Sequence, residues 1–103
     1  MKTNPDFKTI IAVNKLIHEP ARMAIISLLS VVEEADFLFI MNSTSLTQGN
    51  LSSHLGKLEE AGYVEIEKTF KGKRPHTVIR LTDSGQGELE TYIKTIKEFL
   101  RYF

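Results

Sequence analysis

The stretch "TQGNLSSHLGKLEEAGYVEIEK", residues 47–68, decides how this chain folds. Its leucines recur at positions 51, 55 and 58, which is the spacing of one apolar face of an α-helix. Thr47 is a good N-cap residue, and Gly62 stands where a left-handed C-terminal cap is expected. We therefore predict a helix from Thr47 to about Ala61.

The face of this helix opposite the leucines is small and bare, and it carries Gly49, Ser52, Ser53, Gly56 and Lys57. Glycine and serine are poorer helix formers than alanine or leucine, so the helix gains no stability from them. Neutral drift on a solvent-exposed face explains such a composition, and so does close helix–helix packing. A third explanation is that a large partner lies against this face and needs the backbone to come close.

A two-stranded hairpin is predicted after this helix. The segment "YVEIEKTF" alternates Val64, Ile66, Lys68 and Phe70 with other residues, which favours a strand. The segment "KGKRP" predicts a turn, and "HTVIRL" predicts the returning strand. Pro75 is expected at an exposed or edge position, because proline donates no ladder hydrogen bond.

Basic residues concentrate in this hairpin although the net charge of the chain is zero. Between positions 68 and 80 there is no Asp or Glu, and the basic residues there are Lys68, Lys71, Lys73, Arg74 and Arg80. A solvated charged turn is the simplest interpretation. Beside the bare helix, however, a basic hairpin tip is suited to contact the phosphates or the minor groove of a nucleic acid.

Two helices are predicted at the start of the chain. The first begins at the capping residue Asn4, followed by Pro5 at the first helical position. Its apolar face is formed by Phe7, Ile10, Ile11, Val13 and Leu16. The second begins at Pro20 in "HEPARMAIISLLSVV", and its buried stripe is formed by Met23, Ile25, Ile26 and Leu29.

The segment "EEADFLFIMNSTS", residues 33–45, has two interpretations. In one, Asp36 caps a short helix with Phe37, Ile40 and Met41 on its apolar face. In the other, "FLFIM" is a buried strand. We favour the helix, because the segment leads through "NSTSL" directly into the next helix start.

The last predicted helix, capped by Thr82, carries a long apolar stripe. Leu89, Ile93, Ile96, Leu100 and Phe103 follow the heptad spacing 4, 3, 4, 3, and Tyr92 and Phe99 widen the stripe. Because helices this short are marginal alone, the stripe must pack on something. It closes the core of its own domain against the first helix, or the two helices form a homodimer interface. We favour the homodimer, with the interface residues Phe7, Ile10, Ile11, Leu89, Tyr92, Ile93, Ile96, Phe99, Leu100 and Phe103.

The predicted order is helix, helix, short helix, turn, long helix, hairpin and long helix. A short helix, a turn and a second helix form a helix-turn-helix, whose second helix enters the major groove in DNA-binding proteins. That groove is about 12 Å wide, close to the diameter of a helix with its side chains. We therefore predict a mainly α fold with a small β-hairpin.

Size and composition argue against other classes. A chain of 103 residues makes one domain, residues 1–103. It has no cysteine, no apolar run long enough to span a membrane and no signal peptide, so a cytoplasmic protein is expected. Ser52, Ser53 and His54 stand side by side on a helix and cannot form a catalytic relay, so no enzyme and no cofactor are expected. His18, His54 and His76 are scattered and predict no metal site; His54 is expected to be a packed or capping imidazole.

With "HEPARMAIISLL" upstream of "LTQGNLSSHLGKLEEAGYVEIEKTFKGKRPHTVIRLTDSG", the chain resembles the winged-helix transcription regulators of prokaryotes. It is similar to the MarR and ArsR groups, most of all to small single-domain MarR-type regulators, over about residues 15–85. The resemblance implies a dimeric regulator that binds double-stranded DNA at a pseudo-palindromic operator. It also implies a winged helix-turn-helix fold, with a three-helical core, a wing, and N- and C-terminal dimerisation helices, the last of these at about residues 83–102.

The resemblance also implies a set of DNA-contacting residues. The recognition helix would run from Thr47 to Ala61, and the wing from Val64 to Leu81. The contacts of the helix fall on Thr47, Gln48, Asn50, Ser52, Ser53 and Lys57, and those of the wing on Lys71, Lys73, Arg74 and His76. Base reading and phosphate contact both stay open for the wing. Unlike longer MarR proteins, this chain has little room for a small-molecule effector pocket.

Two other binding functions compete with this one. Winged helices also serve as protein–protein interaction modules without DNA binding, but the bare helix face and the basic wing argue against that role. Binding of RNA or of single strands usually uses exposed aromatic residues as stacking platforms. The aromatic residues here fall mainly at predicted core or dimer positions.

Overall fold

The computed structural model describes residues 6–103, in which it has five helices and three strands. In chain order they are α1 (Phe7–Ile11), α2 (Pro20–Ser30), β1 (Ala35–Asp36), α3 (Phe37–Thr44), α4 (Gln48–Glu60), β2 (Val64–Lys71), β3 (Arg74–Leu81) and α5 (Asp83–Leu100). The mainly helical fold with a small antiparallel sheet is the one that the sequence predicts.

Helices α2 to α5 begin where the sequence predicts, because in each a side-chain oxygen accepts a hydrogen bond from a backbone N–H of the first turn. The N–H of Arg22 donates to Glu19 at 2.8 Å, that of Phe39 to Asp36 at 2.7 Å, that of Asn50 to Thr47 at 3.2 Å and that of Gly85 to Thr82 at 3.0 Å. Each cap therefore satisfies a donor that the helix itself leaves unpaired, and three of these four caps, all but Glu19, are predicted from the sequence.

The first helix is shorter than predicted. Its predicted start at Asn4 and Pro5 lies outside the described residues, and Asp6 caps α1. The helix ends at Ile11, so the prediction of Val13 and Leu16 on its face is wrong. Both residues instead pack against the core from the loop that follows.

The helix interpretation of residues 37–44 is confirmed, and the interpretation of a buried strand there is wrong. The sequence does not predict β1, in which Ala35 pairs with Ile79 and Asp36 pairs with Val78. Two residues are too few to show the alternation that identifies a strand. The sheet has the order β1-β3-β2. Because β1 pairs only with Val78 and Ile79 of β3, Pro75 lies where β3 has β2 as its single neighbour.

The core forms where the apolar faces of the helices meet the sheet. The stripe of α4 is buried there, with Leu51 and Leu58 at 0% exposure and Leu55 at 2%. It belongs to one cluster with Ile25 and Ile26 of α2. Burial of each such side chain is worth about 1.5–3 kcal/mol. The leucine stripe therefore holds one face of α4 inward and leaves the other face outward.

A close backbone contact joins the end of α4, the start of β2 and the start of α5. Gly62 has the positive φ of 80° expected of the predicted cap. The Thr82 N–H donates to the Tyr63 carbonyl oxygen at 3.0 Å, and the Thr82 hydroxyl donates to the Gly62 carbonyl oxygen. A Cβ at Gly85 would overlap the Tyr63 carbonyl and the Leu81 side chain, so only glycine fits there.

Alanine at Gly85 should therefore destabilise the protein, by about 1–3 kcal/mol, because the added methyl forces the backbone of α5 away from Tyr63. The measurement is the free energy of urea unfolding. Gly87→Ala in the same helix is the matched control, since a Cβ there meets no atom within 4 Å. That control should be neutral or stabilising by up to about 1 kcal/mol. Equal stability changes in the two variants would contradict the proposed close contact.

Candidate nucleic-acid interface

The outward face of α4 is exposed along its whole length. The exposed residues of that face are Gln48, Gly49, Asn50, Ser52, Ser53, Gly56 and Lys57. A Cβ at Gly49 or at Gly56 would meet no heavy atom within 4 Å. The packing of residues 6–103 therefore gives no reason for glycine at these two positions, and helix–helix packing within the chain does not explain them.

Contacts with the start of α2 fix the orientation of α4. The Arg22 guanidinium lies within hydrogen-bond distance of His54 Nδ1, at 3.1 Å, and as a group without an acceptor it donates this bond. Glu19 Oε1 lies 3.9 Å from the same nitrogen. The pKa of the Glu19 carboxyl is lowered, mainly because the carboxylate accepts a hydrogen bond from the backbone N–H of Arg22. His54 is half-buried in this cluster, which confirms its prediction as a packed imidazole.

The wing is a regular hairpin that ends in a two-residue turn. The pairs of β2 and β3 run from Val64 with Leu81 to Lys71 with Arg74. Gly72 and Lys73 close the turn, and Gly72 has a φ of 66°, a conformation that favours glycine. The predicted basic residues of "KGKRP" are thus at the far end of the hairpin.

One face of the wing turns toward α4. Directly paired residues share a face of the sheet, and alternate residues along a strand do too. Ile66, Lys68 and Thr77 lie on the face that continues from the buried Val64 and Ile79. Together with residues of α4 they line one open groove, whose helical wall includes Gln48, Ser52 and Gly56. The bare helix and the wing therefore form one continuous surface, as predicted.

Four of the five basic residues of the wing are free of ion pairs within the described part of the chain. Lys68, Lys71, Lys73 and Arg74 are exposed and form no ion pair within residues 6–103. Arg80, by contrast, is paired with two carboxylates: Nη2 lies 2.9 Å from Oε1 of Glu67 and 3.1 Å from Oε1 of Glu34. The hydrogen bond to Glu67, followed by that to Glu34, raises the pKa of Arg80.

The register separates the predicted wing residues. Lys71, Arg74 and the half-buried His76 lie on the face turned away from the groove, and Lys73 is in the turn. Lys68 lies on the groove face and was not among the predicted contacts. The signal for it is present in the sequence, because Lys68 continues the alternation of Val64 and Ile66.

The predicted dimer residues divide into three groups by exposure. Leu89 and Tyr92 are buried in the core of their own chain, so the prediction that they contact a partner is wrong. Burial raises the pKa of the Tyr92 hydroxyl, which lies 2.7 Å from His18 Nδ1. Ile10, Ile96 and Phe99 are half-buried, and the exposed members are Phe7, Ile11, Ile93, Leu100 and Phe103.

The exposed members lie on α1, on α5 and, for Phe103, just beyond the end of α5, and α1 contacts α5. The ring of Phe7 on α1 meets the ring of Phe99 on α5 edge to face, with the centroids 6.3 Å apart. The ring of Phe103 packs against the ring of Phe99 at a tilt of 49°, with the centroids 5.3 Å apart. We call this apolar surface of Phe7, Ile11, Phe99, Leu100 and Phe103 the terminal patch.

The described part of the chain offers neither a cluster of metal ligands nor a helix that could span a membrane. Among residues 6–103, no three His, Asp or Glu side chains lie close enough together to hold a metal ion. None of the helices in that range is both long and apolar enough to cross a bilayer.

Comparison with known proteins gives a consistent architecture. A family model described as winged helix DNA-binding domain matches residues 21–100. An uncharacterized protein of Methanocaldococcus jannaschii is 37% identical over 82 residues, which are 80% of this chain and 89% of that protein. The structure of a transcriptional regulator homologue from Pyrococcus horikoshii has a TM-score of 0.84 at 32% identity, covering 91% of this chain and 92% of that one. PadR from Bacillus subtilis in complex with operator DNA has a TM-score of 0.65 at 23% identity, over 73% of this chain and 48% of that chain, and supports the fold alone.

Replacing Glu19 by Gln tests the cap of α2, the helix end that places Arg22 against His54 of α4. Because the folded pKa of Glu19 lies below its ordinary value of 4.5, the carboxylate stabilises the fold above about pH 4.5. That contribution is lost as the pH falls through the lowered folded pKa. We expect Glu19→Gln to be less stable than the wild type in urea at pH 7, with a difference that narrows as the pH falls below 4.5. Glu33→Gln, in the exposed loop after α2, is the control, and a pH-independent difference for Glu19→Gln would contradict the assignment.

Proposed function

We infer the function of this chain from the family to which it belongs, the winged helix DNA-binding domain family. The chain is a winged helix-turn-helix transcription regulator, and it shares its fold with the transcriptional regulator homologue from Pyrococcus horikoshii. We propose that it binds double-stranded DNA sequence-specifically. In this proposal the exposed face of α4 enters the major groove, and the wing contacts the flanking backbone or minor groove.

The observation that carries the proposal is the bare face of α4. Glycine in a helix interior costs roughly 1 kcal/mol relative to alanine, and Gly56 is interior to α4. No contact within residues 6–103 compensates for that cost. A partner that binds directly against the backbone of α4 would compensate for this cost, because a side chain at Gly56 would hold the partner away from the helix. The major groove, about 12 Å wide, is such a partner for a helix.

Charge supports placing the N-terminal part of α4 at the DNA. Its N-terminal turn has free backbone N–H groups, since those of Gln48 and Gly49 have no acceptor within residues 6–103. Such groups favour a phosphate, and the helix dipole adds to the attraction. The C-terminal end carries Glu59 and Glu60, which phosphates repel. Gln48, Asn50, Ser52 and Ser53 are therefore the residues that we place at base edges, and Lys57 we place at a phosphate.

The proposal includes a homodimer formed through the terminal patch. A two-fold axis repeats one surface on both copies, so an apolar surface becomes its own partner. Phe7 and Phe103 would leave water on dimerisation, and both are exposed in the single chain. The two copies of α4 would then enter successive major grooves, about 34 Å apart, on a pseudo-palindromic site.

Ser53→Glu tests the placement of α4. Duplexes selected by the purified wild-type protein from a random pool serve as the probe, and an inverted repeat among them is expected for the homodimer. Ser53 is exposed, so the variant should fold with an unchanged melting temperature. Its carboxylate would face phosphates and should lower the affinity at least tenfold, which is about 1.4 kcal/mol.

The control is Ser27→Glu, which adds the same charge at an exposed position of α2. Equal affinity of Ser53→Glu and Ser27→Glu for the selected duplex would show that α4 is not at the interface. Failure of the wild type to enrich any duplex would favour the protein–protein interaction module instead.

A further inference from the structure

Phe70 is an aromatic residue that takes no part in the hydrophobic core. It is 70% exposed near the end of β2, and it is absent from the core and from the residues packed against it. Its direct cross-strand partner is Pro75, so the ring and the pyrrolidine lie on the same face of the wing. An exposed phenyl ring in a cationic hairpin gains the chain no stability of its own.

The strand register places this pair on the side of α4. Phe70 is two residues beyond Lys68, and Pro75 is two residues before Thr77. Lys68 and Thr77 line the groove between the wing and α4. Side chains two residues apart on a strand share a face, about 6.6 Å apart. The Phe70–Pro75 pair therefore extends the groove face outward, beyond the reach of α4.

We propose that Phe70 and Pro75 form an apolar wedge that packs against the deoxyribose edges of the minor groove. This inference rests on the function proposed above, and it adds an apolar contact that the charges of the wing do not supply. The minor groove is about 6 Å wide, too narrow for a two-stranded hairpin but wide enough for one projecting side chain. Apolar side chains are known to enter this groove in proteins that bind it.

The charges near the wedge favour DNA as the partner that contacts it. Lys68 lies on the same face as the pair, Lys73 lies in the adjoining turn, and Lys71 and Arg74 lie on the opposite face of the hairpin tip. These four cations form no ion pair within residues 6–103. A second copy of this chain docked here across a two-fold axis would bring these cations against their own duplicates. Phosphates lie along both edges of the minor groove and would neutralise them. The deoxyribose rings between those phosphates offer the apolar surface that Phe70 needs.

The wedge and the cations contribute differently to binding, and the salt dependence of the affinity distinguishes the two contributions. The logarithm of the binding constant falls linearly with the logarithm of the salt concentration, and each phosphate neutralised by a cation makes that slope steeper by about 0.9. An apolar contact releases no counterion and adds nothing to the slope. Loss of the phenyl ring should therefore lower the affinity equally at every salt concentration.

The experiment measures the affinity of each variant for a selected duplex between 50 and about 300 mM NaCl, a range over which the cationic contribution changes strongly. Phe70→Ala should bind about tenfold more weakly than the wild type, with an unchanged slope. Phe70→Leu, which keeps an apolar side chain, should stay within about threefold. Lys73→Ala with Arg74→Ala should flatten the slope by roughly 2.

Phe39→Ala is the matched control, because Phe39 is an exposed aromatic on α3 that does not line the groove. It should bind like the wild type, and all variants should show equal melting temperatures. An affinity of Phe70→Ala equal to that of the wild type would overturn the wedge while leaving the proposed function intact. A loss for Phe70→Leu as large as that for Phe70→Ala, or a changed slope for Phe70→Ala, would also overturn it. If the wild type itself binds no duplex, the proposed function fails first.

Discussion

Burial of the leucine stripe of α4 is the constraint on which the rest of the structure depends. Leu51, Leu55 and Leu58 lie in the core, so the rotation of α4 about its axis is fixed. A fixed rotation decides which residues face outward, and these are the glycines, serines and amides of the candidate interface. The contact of His54 with Arg22 holds the same orientation from the flank. The core and the interface are thus two faces of a single helix.

The contact around Tyr63 extends this constraint to the wing and to α5. The chain leaves α4 through Gly62, whose positive φ turns it directly into β2. It returns along β3 to Thr82, which bonds to the backbone of residues 62 and 63. Asn14 adds a link from the loop after α1, donating to the Tyr63 hydroxyl at 2.8 Å and to Glu88 at 3.1 Å. Helix, wing and terminal patch consequently keep defined positions relative to one another.

Local signals made most of the fold predictable from the sequence. Helix caps such as Asp36 and Thr82, the leucine spacing and the hairpin turn each act within a few residues. Features that depend on distant residues were not predictable. Arg80 looks like a free cation in the sequence, and its partner Glu34 lies 46 residues away. In the same way, the apolar stripe of α5 does not reveal that Leu89 is covered by its own core while Phe103 stays exposed.

The central claim is that α4 keeps a bare face for DNA at a cost in stability, and Gly56→Ala tests it most directly with two measurements on one variant. A Cβ at this position meets no atom of the described chain, so the account predicts a gain in unfolding free energy of up to about 1 kcal/mol. It also predicts that the affinity for the selected duplex falls by about tenfold, because the methyl group meets the DNA. A variant that is more stable and binds the duplex as tightly as the wild type would contradict the account.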